Sequence, residues 1–233
     1  MNCQLIENVL PHDLSDKCFA LLKSQVEWKT MHHHGGQVPR LISIQGEYGD
    51  TIPVYRHPSD ELLELVPWSP IVLQIRDILS KTLDQNFNHV LIQYYRSGQD
   101  FISEHSDKTL DIKKGTSIVN FSCGATRTMV LRSKKGLQED RIIKRYELNH
   151  NSAFVLDWNT NKEFAHSIRQ DKRDDSIKSE QELLENGERI SLTFRTIDTF
   201  ITKPGPDRVI FGQGATGKTI KTANKINNSK EQI

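Results

Sequence analysis

Two stretches in the first third of the chain carry hydrophobic residues at helical spacing. An amphipathic helix is predicted over residues 11–28, where the apolar positions are Leu14, Cys18, Leu21, Leu22 and Val26. A second helix is predicted to begin at Pro70, because Ser69 is a good N-cap residue and proline suits the first helical position. Its hydrophobic face consists of Ile71, Val72, Ile75, Ile78, Leu79 and Leu83.

After Asp84 the pattern changes to short apolar or β-branched segments that are separated by turn residues. Strands are predicted at 89–95, 117–123, 128–133, 141–147, 152–156 and 190–195. Helices followed by strands are typical of a sheet-on-sheet core with the helices packed on one side.

A charged segment at residues 171–187 interrupts the strands. Ser179 and Glu182 have the spacing of a capping box, and Gly187 is a candidate helix end. We expect a short solvated helix on the surface. A helix that helps to cover the functional site is the alternative.

Composition restricts the class of protein. Hydrophobic residues make up 36% of the 233 positions, and no run approaches the roughly 18 apolar residues of a spanning helix, so no membrane contact is expected. A formal net charge of +1 predicts no overall basic field for nucleic acid, although a local patch stays open. Scattered cysteines (Cys3, Cys18 and Cys123) and the lack of a secretory pattern over residues 1–8 predict a protein inside the cell, cytoplasmic or nuclear. A monomer is expected.

The most informative motif is Glu104-His105-Ser106-Asp107, together with His166 further along the chain. Two imidazoles and one carboxylate on a β-scaffold leave coordination positions open. Such a set suits a non-haem Fe(II) ion that must also bind a co-substrate and O2. Structural histidines that bind no metal are the alternative interpretation.

Arg189 and Arg195 lie an even number of residues apart in a predicted strand. Side chains alternate between the two faces of a strand, so both arginines should point to the same face. Guanidinium pairs well with carboxylate, and a dicarboxylic keto acid could therefore meet one arginine at each end. A solvated arginine pair is the alternative.

These residues resemble the AlkB-like branch of the Fe(II)/2-oxoglutarate dioxygenases. Residues 87–96, Phe-Asn-His-Val-Leu-Ile-Gln-Tyr-Tyr-Arg, resemble the family strand that leads to the metal loop. Residues 122–129 resemble its S-F-G-A-x-R-x strand, and residues 189–196 resemble its R-x-N-L-T-F-R strand, with Ser191 where the family usually has Asn. The similarity covers residues 38–198.

The resemblance implies an α+β fold with a double-stranded β-helix (jelly-roll) core and N-terminal helices packed on one sheet. Residues 1–201 would form one domain, with a helical, substrate-lid part at 1–86 and a catalytic jelly-roll at 87–201. Residues 202–233 would be a polar C-terminal extension.

The resemblance also implies Fe(II), 2-oxoglutarate as co-substrate, and O2. The metal ligands would be His105, Asp107 and His166. Arg195 would pair with the 2-oxoglutarate carboxylate nearest the keto group and so belong to the catalytic set.

The distal carboxylate of 2-oxoglutarate would be held by Arg189 and Tyr95. Gln93 stands where the family usually has Asn, and its amide can still donate a hydrogen bond.

The activity that the resemblance implies is oxidative N-dealkylation of a methylated base in DNA or RNA. Such an enzyme flips the base into a pocket and stacks it on aromatic side chains. Candidate substrate contacts are Tyr55, His57, Thr109 and Trp158. Packing beside the metal strand is the alternative role for Trp158.

Arg132, Lys134 and Lys135 are candidate phosphate contacts, with a solvated hairpin as the slightly favoured interpretation. One departure weakens the nucleobase hypothesis. Relatives that repair nucleobases carry acidic residues directly after the metal Asp, whereas this chain has Lys108 and Thr109.

Two other functions stay open from the sequence. Polar and cationic groups at Arg40 and Arg56 would suit a hydroxylase of a small polar metabolite, either amino-acid-like or a secondary metabolite. A degenerate oxygenase used as a binding module is the non-enzymatic option, although the complete triad argues against it.

Residues 212–219, Gly-Gln-Gly-Ala-Thr-Gly-Lys-Thr, match the phosphate-loop pattern G-x-x-x-x-G-K-T. That loop requires a following helix that packs on a sheet. The polar residues after Thr219 cannot bury a helix face, so a Gly-rich turn is the favoured interpretation.

Overall fold

The computed structural model describes residues 2–33, 36–56, 64–136, 140–202 and 209–217. Its strands are β1 (Cys3–Glu7), β2 (His32–His33), β3 (Gly36–Gln37), β4 (Leu41–Gly46), β5 (Thr51–Pro53), β6 (Val66–Pro67), β7 (His89–Tyr95), β8 (Ile102–His105), β9 (Ile118–Gly124), β10 (Arg127–Ser133), β11 (Ile143–Leu148), β12 (Ser152–Leu156), β13 (Phe164–Ile168), β14 (Arg189–Arg195), β15 (Thr199–Thr202) and β16 (Ile210–Gly212). Its α-helices are α1 (His12–Gln25), α2 (Pro70–Leu83), α3 (Trp158–Glu163) and α4 (Glu180–Leu183).

The larger sheet has the strand order β1-β12-β9-β14-β7-β4-β6 and is antiparallel except between β4 and β6. Successive side chains of its central strand β14 point alternately to the two faces of the sheet. Ile190, Leu192 and Phe194 join the hydrophobic cluster that also contains residues of α1 and α2, whereas Arg189 and Arg195 line a cavity on the opposite face. Because side chains alternate along the strand, this sheet has one apolar face and one face with polar and charged side chains that line the cavity.

The two N-terminal helices pack on the apolar face of the larger sheet, as the sequence predicts. Cys18 and Leu22 of α1 and Ile75 and Leu79 of α2 are fully buried there. Full burial of a side chain such as Leu or Ile contributes about 1.5–3 kcal/mol. This layer covers the face of the larger sheet that lies opposite the cavity.

The smaller sheet has the order β11-β10-β13-β8 and faces the cavity from the other side. In its register His166 of β13 lies directly opposite His105 of β8. Two sheets that enclose a cavity, with helices on one outer face, confirm the predicted jelly-roll architecture.

Local predictions from the sequence are mostly right. The predicted strands 89–95 and 152–156 agree with β7 and β12, and the strand predicted at 141–147 lies at Ile143–Leu148. Ser69 is the N-cap of α2, but its side chain does not cap the helix. Instead its backbone N–H and hydroxyl both donate to Gln45 Oε1, at 2.8 and 3.2 Å.

Several strands were not predicted. They are β1, β2, β3, β5, β6, β8, β13 and β15, each of five residues or fewer. Strands β1 and β4 of the first 86 residues pair within the larger sheet. The division into a lid part and a catalytic part stays a prediction, as do the domain limits.

The insertion at residues 171–187 forms the predicted surface helix. Both hydrogen bonds of the Ser179–Glu182 capping box are present, and α4 has no buried residue. None of the described residues that line the cavity belongs to this insertion, so the structure does not support the covering alternative. Across the described part of the chain, no helix has the length and apolar character needed to cross a membrane.

Candidate metal centre and co-substrate pocket

His105, Asp107 and His166 converge at one end of the cavity. The Nε2 atoms of both histidines lie 3.9 Å from Oδ1 of Asp107, and their ring centroids are 4.3 Å apart. One ligand atom from each residue lies within 4.8 Å of the others. The geometry therefore brings the predicted triad together as a set that could hold one metal ion.

The tautomer of His105 follows from its hydrogen bond. Its Nδ1 lies 2.8 Å from the carbonyl oxygen of Ser103, which only accepts, so Nδ1 carries the proton. Nε2 then presents a lone pair towards Asp107 and His166. A histidine held in this way is oriented as a metal ligand.

The protonation states of the triad also fit a cation. Burial, then the neighbouring His105, lowers the pKa of His166 to about 3. Burial also lowers the pKa of His105. For Asp107, burial alone would raise the pKa, but the positive Arg195 and the two histidines outweigh it and hold the pKa well below its ordinary value. Two neutral imidazoles and one carboxylate are the forms that bind metal.

Arg195 holds the carboxylate oxygen of Asp107 that faces away from the histidines. Its Nε and Nη2 donate to Oδ2 at 2.8 and 2.7 Å, and both side chains are almost completely buried. Tyr55 lies over Arg195, with 4.3 Å between the guanidinium carbon and the ring centroid. Its hydroxyl accepts from the Lys108 backbone N–H at 3.1 Å.

Asn161 clamps the backbone of Asp107, a contact that the sequence did not suggest. Asp107 N–H donates to Asn161 Oδ1 at 3.0 Å, and Asn161 Nδ2 donates back to the Asp107 carbonyl at 2.9 Å. Asn161 belongs to α3 and is 1% exposed. This reciprocal pair fixes the peptide that carries the metal carboxylate.

Changing Asn161 to alanine should weaken metal binding by roughly 10- to 100-fold, as losing a hydrogen bond that orients a ligand does elsewhere. Anaerobic titration with Fe(II) or Mn(II) measures this affinity. Asn159→Ala is the matched control, because Asn159 is exposed on the same helix. Equal affinities for the two variants would show that the clamp does not orient Asp107.

At the other end of the cavity Arg189 is buried with donors unused. Its Nη2 donates to Ser122 Oγ at 2.8 Å and to Asn120 Oδ1 at 3.1 Å. Its Nε and Nη1 meet no hydrogen-bond partner among the described residues, and neither does Nε2 of Gln93. Tyr95 donates from its hydroxyl to Gln93 Oε1 at 3.3 Å.

Burial lowers the pKa of Arg189 to about 10, so the guanidinium is still charged at neutral pH. Leaving charged donors buried and unpaired is costly. An anion bound beside Arg189 would satisfy them. With the metal triad at the opposite end, the donor set fits 2-oxoglutarate together with Fe(II).

The remaining candidates for substrate contact are placed as follows. Tyr55 stands beside the triad, over Arg195. Thr109 is half-buried two residues after Asp107. Trp158 and Tyr55 pack against the hydrophobic cluster to which both sheets contribute, and neither is among the residues that line the cavity. His57 lies outside the described residues.

The arginines that suggested a small anionic substrate are engaged in the protein. Arg40 is 5% exposed and donates from Nη1 to the Phe101 carbonyl at 2.9 Å. Arg56 forms a buried ion pair with Asp111, donating from its backbone N–H and from Nε and Nη2. Both side chains thus hold loops in place, although Arg40 Nε and Arg56 Nη1 meet no partner among the described residues.

Arg127 is a further residue whose role the sequence left unassigned, although it lies in the S-F-G-A-x-R-x-like strand. It donates to the carbonyls of Ser97, Asp100 and Arg169 at 3.2, 3.0 and 2.6 Å. Its guanidinium carbon lies 5.9 Å from the ring centroid of Tyr95. Arg127 therefore fixes the loop after β7 and the position of Tyr95.

Comparison with known proteins agrees with this geometry. Residues 2–195 match the family model described as 2OG-Fe(II) oxygenase superfamily. The chain is 33% identical over 194 residues to a Bos taurus protein named DNA oxidative demethylase ALKBH2, which covers 78% of this chain and 64% of that protein. The Homo sapiens protein of the same name is 32% identical, with 78% of this chain and 69% of that protein covered.

Among solved structures, the structure of OsALKBH1 matches with a TM-score of 0.52 and 16% identity, covering 83% of this chain and 97% of that chain. At this identity the likeness shows the fold alone. This chain spans 64% of the length of the bovine relative, so the matched part need not carry every property of the longer protein.

Proposed function

Because this chain belongs to the AlkB-like branch of the 2OG-Fe(II) oxygenase superfamily, we propose that it catalyses 2-oxoglutarate-dependent oxidative demethylation of an N-methylated base in DNA or RNA. One observation carries the proposal. A triad of metal-binding type and a buried arginine with unused donors lie at opposite ends of the same cavity.

In this proposal Arg189, with Gln93 and Tyr95, binds the distal carboxylate of 2-oxoglutarate. Their support is the set of unpaired donors on Arg189 and Gln93. Arg195 would bind the carboxylate nearest the keto group while it also donates to Asp107. In that position it would act on both the co-substrate and the metal carboxylate.

Bound Fe(II), with 2-oxoglutarate and O2, supplies the oxidising chemistry that hydroxylates a substrate C–H bond. The protein orients the reactants and excludes water. His105, Asp107 and His166 hold the ion, Arg195 and Asn161 fix Asp107, and Arg189 orients the co-substrate. An N-hydroxymethyl group releases formaldehyde, so the balance is N–CH3, 2-oxoglutarate and O2 in, and N–H, formaldehyde, succinate and CO2 out.

A nucleic-acid substrate is supported by the relatives' names and by a basic surface on the smaller sheet. Exposed basic residues lie directly after β10 and within its partner strand β11; they are Lys134, Lys135, Lys144 and Arg145. Such cations are suited to phosphates. Arg132 and Arg141 are paired with Glu104, at 3.2 and 3.5 Å.

The departure after the metal carboxylate persists in the structure. Lys108 is exposed, and Asp111, the nearest acidic residue downstream, is committed to Arg56. A cationic base would therefore have to be recognised by other groups, and Tyr55, which lies over Arg195, is one candidate. The relatives' names favour demethylation over the small-metabolite alternative, and Arg40 and Arg56 already donate to groups of the protein. The monomeric state and the location inside the cell stay predictions.

The test compares substrate classes. Anaerobically Fe(II)-loaded protein should form succinate faster with N-methylated oligonucleotides than with unmethylated ones, and the stimulation should weaken as salt rises. Stimulation by a cell metabolite extract alone would contradict the proposal and point to a small-molecule hydroxylase. Absence of succinate under every condition, with iron bound, would favour a binding module.

A further inference from the structure

The C-terminal turn, defined here as Gly212–Gly217, lies beyond the family match that ends at residue 195. It includes most of the stretch that resembles a phosphate loop; Lys218 and Thr219 lie outside the described residues. The N–H groups of Gln213, Gly214, Ala215 and Thr216 donate to Asp198 O, Thr199 Oγ1, Gly212 O and Gly214 O, at 2.7, 2.9, 3.1 and 2.9 Å. These four donors are used inside the protein, so this part of the turn forms no cradle for phosphate.

The side chain of Gln213 contacts the loop that follows the metal carboxylate, here called the metal-proximal loop (residues 108–114). Its Nε2 lies within hydrogen-bond distance of three carbonyl oxygens of this loop, at 3.4 Å for Thr109, 3.0 Å for Leu110 and 2.7 Å for Ile112. Its Oε1 accepts from the Lys114 backbone N–H at 3.2 Å. One amide group from the C-terminal turn therefore binds the loop along most of its length.

Gly214 makes the second attachment. Its carbonyl accepts from Arg56 Nη2 at 2.6 Å, and Arg56 in turn binds the buried carboxylate of Asp111 in the same loop. A Cβ at this position would collide with Arg56, Asp111 and Thr199. The second glycine of the phosphate-loop-like stretch is thus explained by close packing on the Arg56–Asp111 pair.

We propose that the C-terminal turn positions the metal-proximal loop for substrate binding, and that Gln213 is its main positioning residue. This inference rests on the proposed function. It concerns substrate rather than metal, because Asp107 is fixed separately by Asn161 and Arg195. The loop begins beside the triad, and the backbone N–H of its first residue, Lys108, is bonded to Tyr55. Freedom in the loop would therefore change the surroundings of the incoming base and leave the ion in place.

The test replaces Gln213 by alanine in the full chain and measures two quantities. Amide hydrogen exchange in residues 108–114 should become about tenfold faster, since several hydrogen bonds to the loop are lost. The KM for an N-methylated oligonucleotide should rise by about tenfold for the same reason, while Mn(II) affinity and the KM for 2-oxoglutarate stay within about twofold.

Two further variants make the test specific. Gln213→Glu keeps the size of the side chain and an acceptor for Lys114, but its carboxylate cannot donate to the carbonyl oxygens of the loop, so it should behave like the alanine variant. Gln4→Ala, at an exposed position on β1, is the surface control. Asn161→Ala should have the opposite effect: it should weaken Mn(II) binding and leave amide exchange in residues 108–114 unchanged.

Unchanged exchange in residues 108–114 would overturn the proposal, whatever the activity. Faster exchange with an unchanged oligonucleotide KM would overturn its substrate part. The exchange measurement requires no turnover, so it decides the positioning of the loop even if the wild-type protein fails to act on nucleic acid. A wild-type protein that does not act on nucleic acid would count against the proposed function alone.

Discussion

Changing His166 to alanine should abolish iron-dependent turnover. The imidazole is one of three groups that converge on the same point, and its neutral form is secured by burial. Losing a ligand should weaken metal binding more than losing a hydrogen bond to a ligand, which costs about 10- to 100-fold. Anaerobic Fe(II) titration and succinate formation measure the two effects.

The matched control for this variant is His12→Ala. His12 is 91% exposed and pairs with Asp16 on the surface of α1. It is not among the residues that line the cavity. It should leave both metal affinity and turnover unchanged. If His166→Ala kept wild-type succinate formation while remaining folded, the triad could not be the metal centre.

Removal of the Arg189 side chain should have the largest effect on the co-substrate. Truncating one partner of a buried charge pair costs about 2–5 kcal/mol, which is roughly 30-fold or more in affinity. The affinity for 2-oxoglutarate should therefore fall by at least that factor in Arg189→Ala. Isothermal titration of the Mn(II)-loaded protein measures it without turnover.

A second ligand makes the Arg189 test specific. 2-Oxopentanoate has the keto-acid end of 2-oxoglutarate but a methyl group in place of the distal carboxylate. The wild-type protein should prefer 2-oxoglutarate strongly, and Arg189→Ala should lose most of that preference. Arg173→Ala, which removes an exposed arginine of the insertion, should behave as wild type. A variant of Arg189 that still discriminated between the two acids would place the distal carboxylate elsewhere.

The part of the site that sequence reasoning could find depends on local periodicity. Arg189 and Arg195 are six residues apart in one strand, and alternation alone puts both on the same face, where the structure has them. The two N-terminal helices could be predicted in the same way, because the apolar positions of each repeat within one segment of the chain. The Ser179–Glu182 capping box shows that a helix start can also be predicted from local sequence, whereas Ser69 starts α2 without capping it through its side chain.

The parts that could not be found depend on contacts between distant segments. Strands β8 and β13 carry both histidines, yet both are short, and β13 pairs with β10 as well as with β8, which lie far from it in the sequence. Asn161 lies in a short polar helix with nothing in its neighbours to indicate a contact with Asp107. Gln213 contacts residues about one hundred positions earlier, and its own segment suggests a phosphate loop instead.

The measurement that tests the central claim most directly is the yield of formaldehyde relative to succinate. It uses Fe(II)-loaded protein with 2-oxoglutarate, O2 and an N-methylated oligonucleotide, beside the unmethylated oligonucleotide and the His166→Ala variant. We expect equal amounts of formaldehyde and succinate above background with the methylated oligonucleotide, and no formaldehyde in either control. Succinate without formaldehyde from every methylated oligonucleotide would contradict nucleobase demethylation.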